Sequence, residues 1–448
     1  MQRIFVNHTD QPEHSLLPST PSSLIPDDIN ATPTTVTRHD PYKALRYGDF
    51  RLFFLAIFLT SIGEQMMSVA IGWELYQRTN SALALGFVGL VQVLPVIVLS
   101  LPAGQVADRA NRKRIMLITQ LVFVIGAVGL TLLSYFQGPL VLIYGCLLLG
   151  GIASSFSNPA SSALLAQTVP SEAYQSAATW QSSSWQLASV AGPALGGLMI
   201  ALFHRATPVF LVNALALAIV LFCILALRVK QARPTVRERT TVRSLLEGLS
   251  FLRKTQVMLA AITLDLFAVL LGGAVTLLPI YARDILHVGP SGLGWLLAAP
   301  SIGALVMTLF LAYLPPFKHA GRSLLLAVAM FGLATCIFGL SRAFWLSLLM
   351  LFVLGAMDNI SVVVRSTLML TRTPEEMRGR VSSVNGLFIS MSNQLGGFES
   401  GLAAQFLGPV VAVAAGGIGT ILVVLLVATL WPEMRRLGTL SETKNELT

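Results

Sequence analysis

The chain has 448 residues, of which 54% are hydrophobic and only 11% are charged, and its formal net charge at pH 7 is +9. A soluble globular domain usually has roughly a quarter of its residues charged. The composition therefore excludes an ordinary soluble domain and predicts an integral membrane protein.

The N-terminal segment, residues 1–46, differs from the rest of the chain because it is polar and rich in Pro, Ser and Thr, as in "PSTPSSLIPDDINATPTT". It lacks the basic start and the apolar core of a signal peptide. Such a composition does not bury enough apolar surface to fold, so we predict a disordered tail.

Apolar segments of about 20 residues, the length that a membrane-spanning helix needs, follow one another along the remaining chain. The predicted fold is therefore an all-α membrane protein with twelve transmembrane helices, at 52–76, 84–107, 115–135, 140–166, 177–202, 208–228, 257–280, 290–314, 323–341, 345–370, 381–404 and 409–430. Six lie in an N-terminal bundle, residues 47–228, and six in a C-terminal bundle, residues 257–430. A linker, 229–256, separates the bundles, and residues 431–448 form a C-terminal tail.

The Lys and Arg residues between these segments indicate the orientation of the chain. Counting Arg228, the connections after segments two, four, six, eight and ten hold 17 of them, whereas the odd-numbered connections hold four, Arg78, Arg205, Arg283 and Arg342. Short loops rich in Lys and Arg remain in the cytoplasm. We therefore predict a membrane protein with both termini cytoplasmic, and we attribute its basicity to topology rather than to binding of nucleic acid.

The linker has a helical pattern in its second part, where Leu245, Leu246, Leu249 and Leu252 share one helical face. An amphipathic helix of this kind lies at a membrane surface. We predict such a helix at the cytoplasmic surface, as a tether between the two groups of six segments.

The two groups of six segments resemble each other in sequence. "QTVPSEAY" in the first corresponds to "TRTPEEMR" in the second, and the same offset of 204 residues relates Gly192 to Gly396 and Gly197 to Gly401. Two six-helix repeats in the same orientation are typical of secondary transporters, whose binding site lies between the repeats.

The connection between segments two and three, "AGQVADRANRKRIML", is unusually charged for so apolar a chain. Gly104 would allow a close approach of backbones where the two helices meet. Asp108, shortly before a new helix, would accept hydrogen bonds from free N–H groups at the positive helix end. Arg112 and Lys113 supply countercharges.

The pattern of residues 104–113, Gly-x-x-x-Asp-Arg-x-x-Arg-Lys, resembles the signature loop of the major facilitator superfamily, whose members have two six-helix bundles and alternating access. Asn111 stands where the family pattern usually has Gly, and Asn tolerates a left-handed backbone best among the other residues. The resemblance implies a latch in which Asp108 contacts the start of the eleventh segment when the cytoplasmic side is closed. The latch residues would be Gly104, Asp108, Arg109, Arg112, Lys113, Arg378 and Arg380.

A second motif lies in the fifth segment, "ASVAGPALGGLM", where Gly192, Pro193, Gly196 and Gly197 resemble the glycine-proline motif of the superfamily's antiporters. Small residues let membrane helices touch, and Pro bends a helix; ordinary close packing is the alternative. Further stretches, such as "RSLLEGLSFLRK" and "TRTPEEMRGRVSSVNGL", are similar to the bacterial exporter branch that includes the enterobactin exporter, over residues 42–436.

Polar side chains inside the apolar segments are the remaining candidates for a functional site. A charge near the bilayer centre costs about 3 kcal/mol on insertion scales, so it normally faces a cavity or a partner. For each acid the alternative is a structural ion pair or a protonated buried acid. The candidates for proton coupling or for the substrate cavity are Glu64, Asn158, Asp265, Asp358, Arg365 and Glu399. The resemblance implies that segments one, four, seven and ten line the cavity.

These observations predict an exporter of a small organic molecule, driven by the proton gradient. The resemblance implies a siderophore or an amphipathic drug as the substrate and the inner membrane of a bacterium as the location. Glu64, near the centre of the first segment, is the acid expected to carry the proton. No motif for a nucleotide, a metal or a catalytic triad is present, so we predict no enzyme activity and no cofactor, and we expect a monomer in the lipid bilayer. An uptake symporter of the same fold, and a membrane sensor or membrane enzyme, are the alternatives.

Overall fold

The computed structural model describes Asp40 and residues 42–228, 242–315 and 317–438, and none of these residues is in a β-strand. The α-helices are α1 Gly48–Thr79, α2 Ala82–Arg109, α3 Arg112–Tyr135, α4 Leu140–Thr168, α5 Tyr174–Phe203, α6 Thr207–Ala226, α7 Val242–Lys254, α8 Gln256–Leu271, α9 Leu278–Ile280, α10 Gly289–Tyr313, α11 Ala320–Leu340, α12 Phe344–Arg372, α13 Glu375–Leu407, α14 Pro409–Leu430 and α15 Pro432–Arg436. Short 3₁₀ turns at Ala44–Arg46, Ser171–Ala173 and Ala274–Leu277, and a π-helical turn at Tyr281–Ile285, complete the helical structure.

Within the described residues, eleven helical segments are long and apolar enough to cross a membrane. They coincide with eleven of the twelve predicted segments. The remaining one is α13, which has 33 residues and begins with the polar stretch "EEMRGRVSSVNG". Its lower hydropathy reflects this polar start together with Asn393, Gln394 and Glu399 in its later part, and its length exceeds the about 20 residues that a membrane-spanning helix needs.

The seventh predicted segment is not one continuous helix. It extends to Ile285, but α8 ends at Leu271, and Gly272 and Gly273 lead into a 3₁₀ turn, the short helix α9 and a π-helical turn. The cause is local, because two consecutive glycines and Pro279 weaken a helix within eight residues.

The two predicted tails are shorter than expected. Ala44, inside the predicted disordered segment 1–46, is fully buried in a 3₁₀ turn and packs with Phe50 and Val169. At the other end, the Ala320 amide at the start of α11 donates to the Gly438 carbonyl at 3.3 Å, so that α15 lies against α11. These residues belong to the folded structure because they bury apolar groups or pair backbone groups against the helices.

The helix connections define two ends of the molecule. We call the end that carries the odd-numbered connections along the chain the odd-loop end; these connections are 80–81, 136–139, 204–206, 286–288, 341–343 and Gly408. The even-loop end carries the even-numbered connections, 110–111, 169–173, 314–319 and 373–374. Helices from the first six segments meet those of the last six mainly where α2 packs on α13 and α5 packs on α10.

The buried apolar core differs between the two ends. At the odd-loop end a single cluster of described residues includes Tyr76 and Ile200 from the first six segments and Leu277 and Leu293 from the last six. At the even-loop end the buried residues form separate clusters on either side, one around Leu164 and Ile224 and another around Leu264 and Leu368. A shared apolar core therefore joins the first six segments to the last six at the odd-loop end.

Helix α7 lies where the sequence predicts the amphipathic linker helix. Of the leucines on the predicted apolar face, Leu252 is buried, Leu249 is half-buried and Leu246 is exposed, so only part of that face packs against the protein. Its Gly248 lies against α13, because a Cβ at that position would be 3.0 Å from the Arg380 carbonyl oxygen. The helix thus contacts the even-loop end of α13, a contact that the pattern of leucines did not predict.

Candidate functional site

A cavity of about 520 Å³ lies among α1, α2, α3, α4 and α6, and the segment 275–279, α10 and α13 close it from the other side. Its size falls within the roughly 300–1,000 Å³ of small-molecule sites. The polar residues of its wall are Thr60, Glu64, Gln65, Ser68, Gln92, Ser154, Asn213, Thr276 and Gln394, and the apolar residues include Ile71, Leu85, Val88, Phe123, Leu130, Leu147, Pro279 and Leu297.

Glu64 contributes a carboxylate to this wall from the middle of α1. Glu64, Ser68 and Gly72 follow each other at intervals of four residues, so they lie on one face of the helix. Gly72 touches the opposite wall, since a Cβ there would be 3.1 Å from Pro279 Cγ. The Glu64 side chain is accessible, and no described residue hydrogen-bonds to it. Glu64, one of the predicted site residues, thus lies in the wall of this cavity.

Four carboxamides converge on the same cavity from different helices: Gln65 on α1, Gln92 on α2, Asn213 on α6 and Gln394 on α13. Asn213 Nδ2 contacts Met67 Sδ at 3.4 Å, and the three glutamines have no hydrogen-bond partner among the described residues. Polar groups in an apolar region are normally hydrogen-bonded. The sequence analysis did not identify Gln92, Asn213 or Gln394. Gln92 and Asn213 are isolated amides in long apolar segments, which is the signal that would have found them, whereas Gln394 follows Asn393 in the more polar helix α13.

The broken seventh segment supplies part of the wall. Thr276 and Pro279 lie just after the break at Gly272 and Gly273. Gly273 fits tightly against α13, because a Cβ there would be 2.6 Å from the Gly396 carbonyl oxygen. Interrupted helices near a transport site are typical of secondary transporters.

Asp265 and Arg365 form an ion pair between α8 and α12. Both are buried, with 7% and 4% of their surfaces exposed, and neither lines the cavity. The structure therefore brings these two candidates together, in the arrangement that the sequence analysis gave as the structural alternative for an acid.

The other candidates lie outside the cavity wall. Asp358 is half-buried on α12, and its neighbour Asn359 accepts a hydrogen bond from Thr308 Oγ1 at 3.2 Å. Glu399 on α13 accepts a hydrogen bond from Ser400 Oγ at 3.4 Å. Asn158 is exposed on α4, and its carbonyl oxygen accepts from Ser162 Oγ at 3.1 Å. Only Glu64 among the predicted acids therefore belongs to this cavity.

The glycine-proline motif packs α5 against two helices at once. Gly192 and Gly196 face α1: a Cβ at Gly192 would be 2.5 Å from Gln65 Cβ, and one at Gly196 would be 3.0 Å from the Met66 carbonyl oxygen. Gly197, one residue further around the helix, faces α10, where a Cβ would be 2.8 Å from Gly294 Cα. Pro193 lies beside Gly197 in this second contact.

Polar contacts close the odd-loop end between the two parts of the chain. The Tyr76 hydroxyl donates to the Asp284 carboxylate. Arg283 Nη1 donates to Asn80 Oδ1 at 2.9 Å, and its guanidinium lies 5.5 Å from the centre of the Tyr76 ring. Ser81 Oγ donates to Gln405 Oε1 at 3.1 Å. We call Tyr76, Asn80, Ser81, Arg283, Asp284 and Gln405 the odd-loop cluster. These hydrogen bonds join the first six segments to the last six at the odd-loop end.

The signature loop has a different local structure from the predicted one. Gly104 makes no close contact, because a Cβ there would meet no described atom within 4 Å. Asn111 is not left-handed: it has φ −66°, and its Oδ1 caps α3 by accepting from the Lys113 and Arg114 amides. Asp108 lies in the last turn of α2 rather than at a helix start, and the side chains of Asp108 and Arg109 lie outside the described residues.

Among the other residues of the predicted latch, Lys113, Arg378 and Arg380 form hydrogen bonds or ion pairs with described residues. Arg112 is the first residue of α3. Lys113 Nζ donates to the Leu225 and Leu227 carbonyl oxygens at 2.8 and 2.6 Å, which places a positive charge at the negative end of α6. Arg378 forms an ion pair with Glu375 at 3.4 Å, and Arg380 pairs with Glu247 of α7 at 2.6 Å.

Comparison with known proteins agrees with this architecture. Residues 39–444 match the family of transmembrane secretion effectors, MFS_3. Because the match covers most of the chain, the chain belongs to this family, and it is a transporter of the major facilitator superfamily rather than an enzyme.

The curated relatives place it in the branch of the enterobactin exporters. The enterobactin exporter EntS of Citrobacter koseri is 29% identical over 394 residues, covering 86% of this chain and 92% of that protein. EntS of Escherichia coli O1:K1 is 28% identical over the same length. Among solved structures, a POT family transporter in complex with a thioalcohol-conjugated peptide gives a TM-score of 0.68 at 14% identity, covering 86% of this chain and 96% of that chain. An inward-facing bacterial homologue of the human lysosomal transporter Spinster gives 0.66 at 15% identity, covering 88% and 99%.

Proposed function

We propose that this protein is a proton-driven exporter that carries a small amphipathic organic molecule out of the cytoplasm by alternating access. The observation that carries the proposal is the position of Glu64, an accessible carboxylate midway along α1 in the wall of a cavity of about 520 Å³. The relatives named as enterobactin exporters support export as the direction of transport and a siderophore as one candidate substrate.

Alternating access is supported by the difference between the two ends. A shared apolar core and the odd-loop cluster join the two parts of the chain at the odd-loop end, whereas the buried cores are separate at the even-loop end. A transporter closed at one end exchanges this closure for closure at the other end during its cycle.

Orientation follows from the charge of the loops. The connections at the even-loop end hold most of the loop Lys and Arg residues, and such loops remain in the cytoplasm. The protein would therefore be closed toward the outside in this state, with both termini in the cytoplasm of a bacterial cell, and the latch around Asp108 would form when the other end closes.

Proton coupling is assigned to Glu64. A carboxylic acid in a low-dielectric site favours its neutral form and can bind and release a proton as its surroundings change. A charge there is costly unless it faces a cavity or a partner. Glu64 would bind a proton from outside when the cavity opens outward, and it would release the proton to the cytoplasm as substrate binds.

The test is efflux from vesicles against an imposed pH gradient. Glu64→Gln imitates the protonated acid, so we expect proton-driven efflux to be lost while substrate exchange without a gradient persists. Glu64→Asp keeps the acid and should retain partial activity. Efflux at the wild-type rate in Glu64→Gln would remove Glu64 from the coupling step and leave Asp358 as the next candidate.

A further inference from the structure

The charges around the cavity restrict what it can bind. Glu64 is the one charged side chain in the described cavity wall, which contains no Lys, Arg or His. The remaining polar groups are amides and hydroxyls, and those of Gln65, Gln92 and Gln394 have no hydrogen-bond partner among the described residues. These groups therefore remain available to a bound molecule.

A single carboxylate in a mostly apolar cavity discriminates strongly between ligands of opposite charge. Interaction between charges is much stronger in a low-dielectric site than in water. An anion would be repelled by ionised Glu64 and would find no cation to compensate its lost hydration. A cation would be attracted by Glu64, and the amides would accept or donate the remaining hydrogen bonds.

The apolar part of the wall restricts the rest of the ligand. Ile71, Leu85, Phe123, Leu130 and Leu297 surround the polar groups from four different helices. Predominantly apolar walls with a few fixed polar groups bind ligands with a large apolar body and one polar point of attachment.

We propose that the cavity binds organic cations with an apolar body, with Glu64 as the countercharge and Gln65, Gln92 and Gln394 as neutral hydrogen-bonding partners. The inference deepens the proposed function by naming the substrate class of the same site. It also links binding to coupling, because a cation and a proton would compete for one carboxylate.

Two probes of the same shape and opposite charge test the inference. Tetraphenylphosphonium is a permanent cation and tetraphenylborate is the corresponding anion, so their binding to the purified full-length protein in lipid nanodiscs compares charge with shape held constant. We expect saturable binding of tetraphenylphosphonium and no saturable binding of tetraphenylborate. Preferential binding of tetraphenylborate, or equal binding of the two, would overturn the inference.

Variants of Glu64 distinguish its role as a countercharge from a general loss of protein structure. Glu64→Gln should weaken tetraphenylphosphonium binding by about 10- to 100-fold, since the electrostatic attraction between the carboxylate and the cation is lost. Glu64→Asp should recover most of the affinity, and Glu172→Gln, which neutralises an exposed carboxylate between α4 and α5, should leave it unchanged. Unaltered affinity in a Glu64→Gln protein that elutes and melts as the wild type does would contradict the assignment.

The binding assay needs no proton gradient, so it fails or succeeds independently of the proposed function. Selective cation binding together with efflux that ignores the pH gradient would reject proton coupling and retain the substrate class. Efflux that is coupled to the pH gradient, together with no preference for the cation, would retain proton coupling and reject the substrate class.

Discussion

At the scale of single residues, the ionisable side chains inside the apolar helices have three different environments. Glu64 opens into the cavity, Asp265 and Arg365 form a buried ion pair, and Asp358 and Glu399 lie outside the cavity wall. A buried pair of charges stabilises a fold little in total, but removal of one partner leaves an uncompensated charge. The pair therefore holds α8 and α12 in register without any role in the cavity wall.

The first prediction separates this structural role from proton coupling. Asp265→Asn should destabilise the protein by about 3–5 kcal/mol, because Arg365 remains buried and unpaired. The double variant Asp265→Leu and Arg365→Met replaces both charges with apolar groups and should restore the thermal melting temperature and efflux. A double variant that melts normally but no longer couples efflux to the pH gradient would show that the pair takes part in transport.

At the scale of helices, the packing of α5 depends on the missing side chains of its glycines. Gly192 and Gly196 face α1, and Gly197 faces Gly294 of α10 across the two parts of the chain. The closeness of these backbones follows from the absence of Cβ atoms, since lipid offers no hydrophobic driving force and contact between helices depends on fit.

The second prediction uses this geometry. Gly197→Ala would place a Cβ 2.5 Å from the Pro290 carbonyl oxygen, so α5 and α10 must separate. We expect a loss of stability of about 1–3 kcal/mol and a large loss of efflux. Gly145→Ala is the matched control, because a Cβ at this position in α4 meets no described atom within 4 Å. Equal thermal stability and equal efflux in the two variants would show that the close contact at Gly197 has no special role, and that the glycine motif serves only ordinary helix packing.

At the scale of the whole molecule, closure at the odd-loop end and the predicted latch at the even-loop end would favour opposite states. The odd-loop cluster joins α1 to the π-helical turn through Tyr76 and Asp284 and through Asn80 and Arg283. The latch would join Asp108 to the start of α13. Removal of a contact made in only one state shifts the population toward the other state.

The third prediction compares the two ends in one assay. Thr276→Cys, in the cavity wall, is placed in a background in which Cys146, Cys223 and Cys336 are replaced, and a membrane-impermeant thiol reagent is added from outside. Asp284→Asn should raise the labelling rate severalfold, because closure at the odd-loop end is weakened. Asp108→Asn should lower it, because the outward-open state loses its latch. Changes of the same sign in both variants would contradict the opposition between the two ends.

The sequence alone determined the class of this protein and most of its elements. Eleven of the predicted segments coincide with apolar helices long enough to span a membrane, because hydropathy over about 20 residues is a local property that lipid enforces. The signature loop, the glycine-proline motif and the stretches shared with the exporters were sufficient to identify the family that the comparisons show. The sequence also led us to expect that Glu64 faces a cavity, since a lone acid in the middle of an apolar helix is costly unless it faces a cavity or a partner.

Only the tertiary structure decided which polar residues meet. Gln92, Asn213 and Gln394 come from three helices far apart in the sequence, and their convergence on Glu64 depends on how those helices pack. The pairing of Asp265 with Arg365, and of Arg380 with Glu247, likewise depends on the packing of separate helices. A local pattern reports the environment that one helix requires, whereas the partner of each polar side chain is set by contacts between helices, and these are visible only when the whole chain is folded.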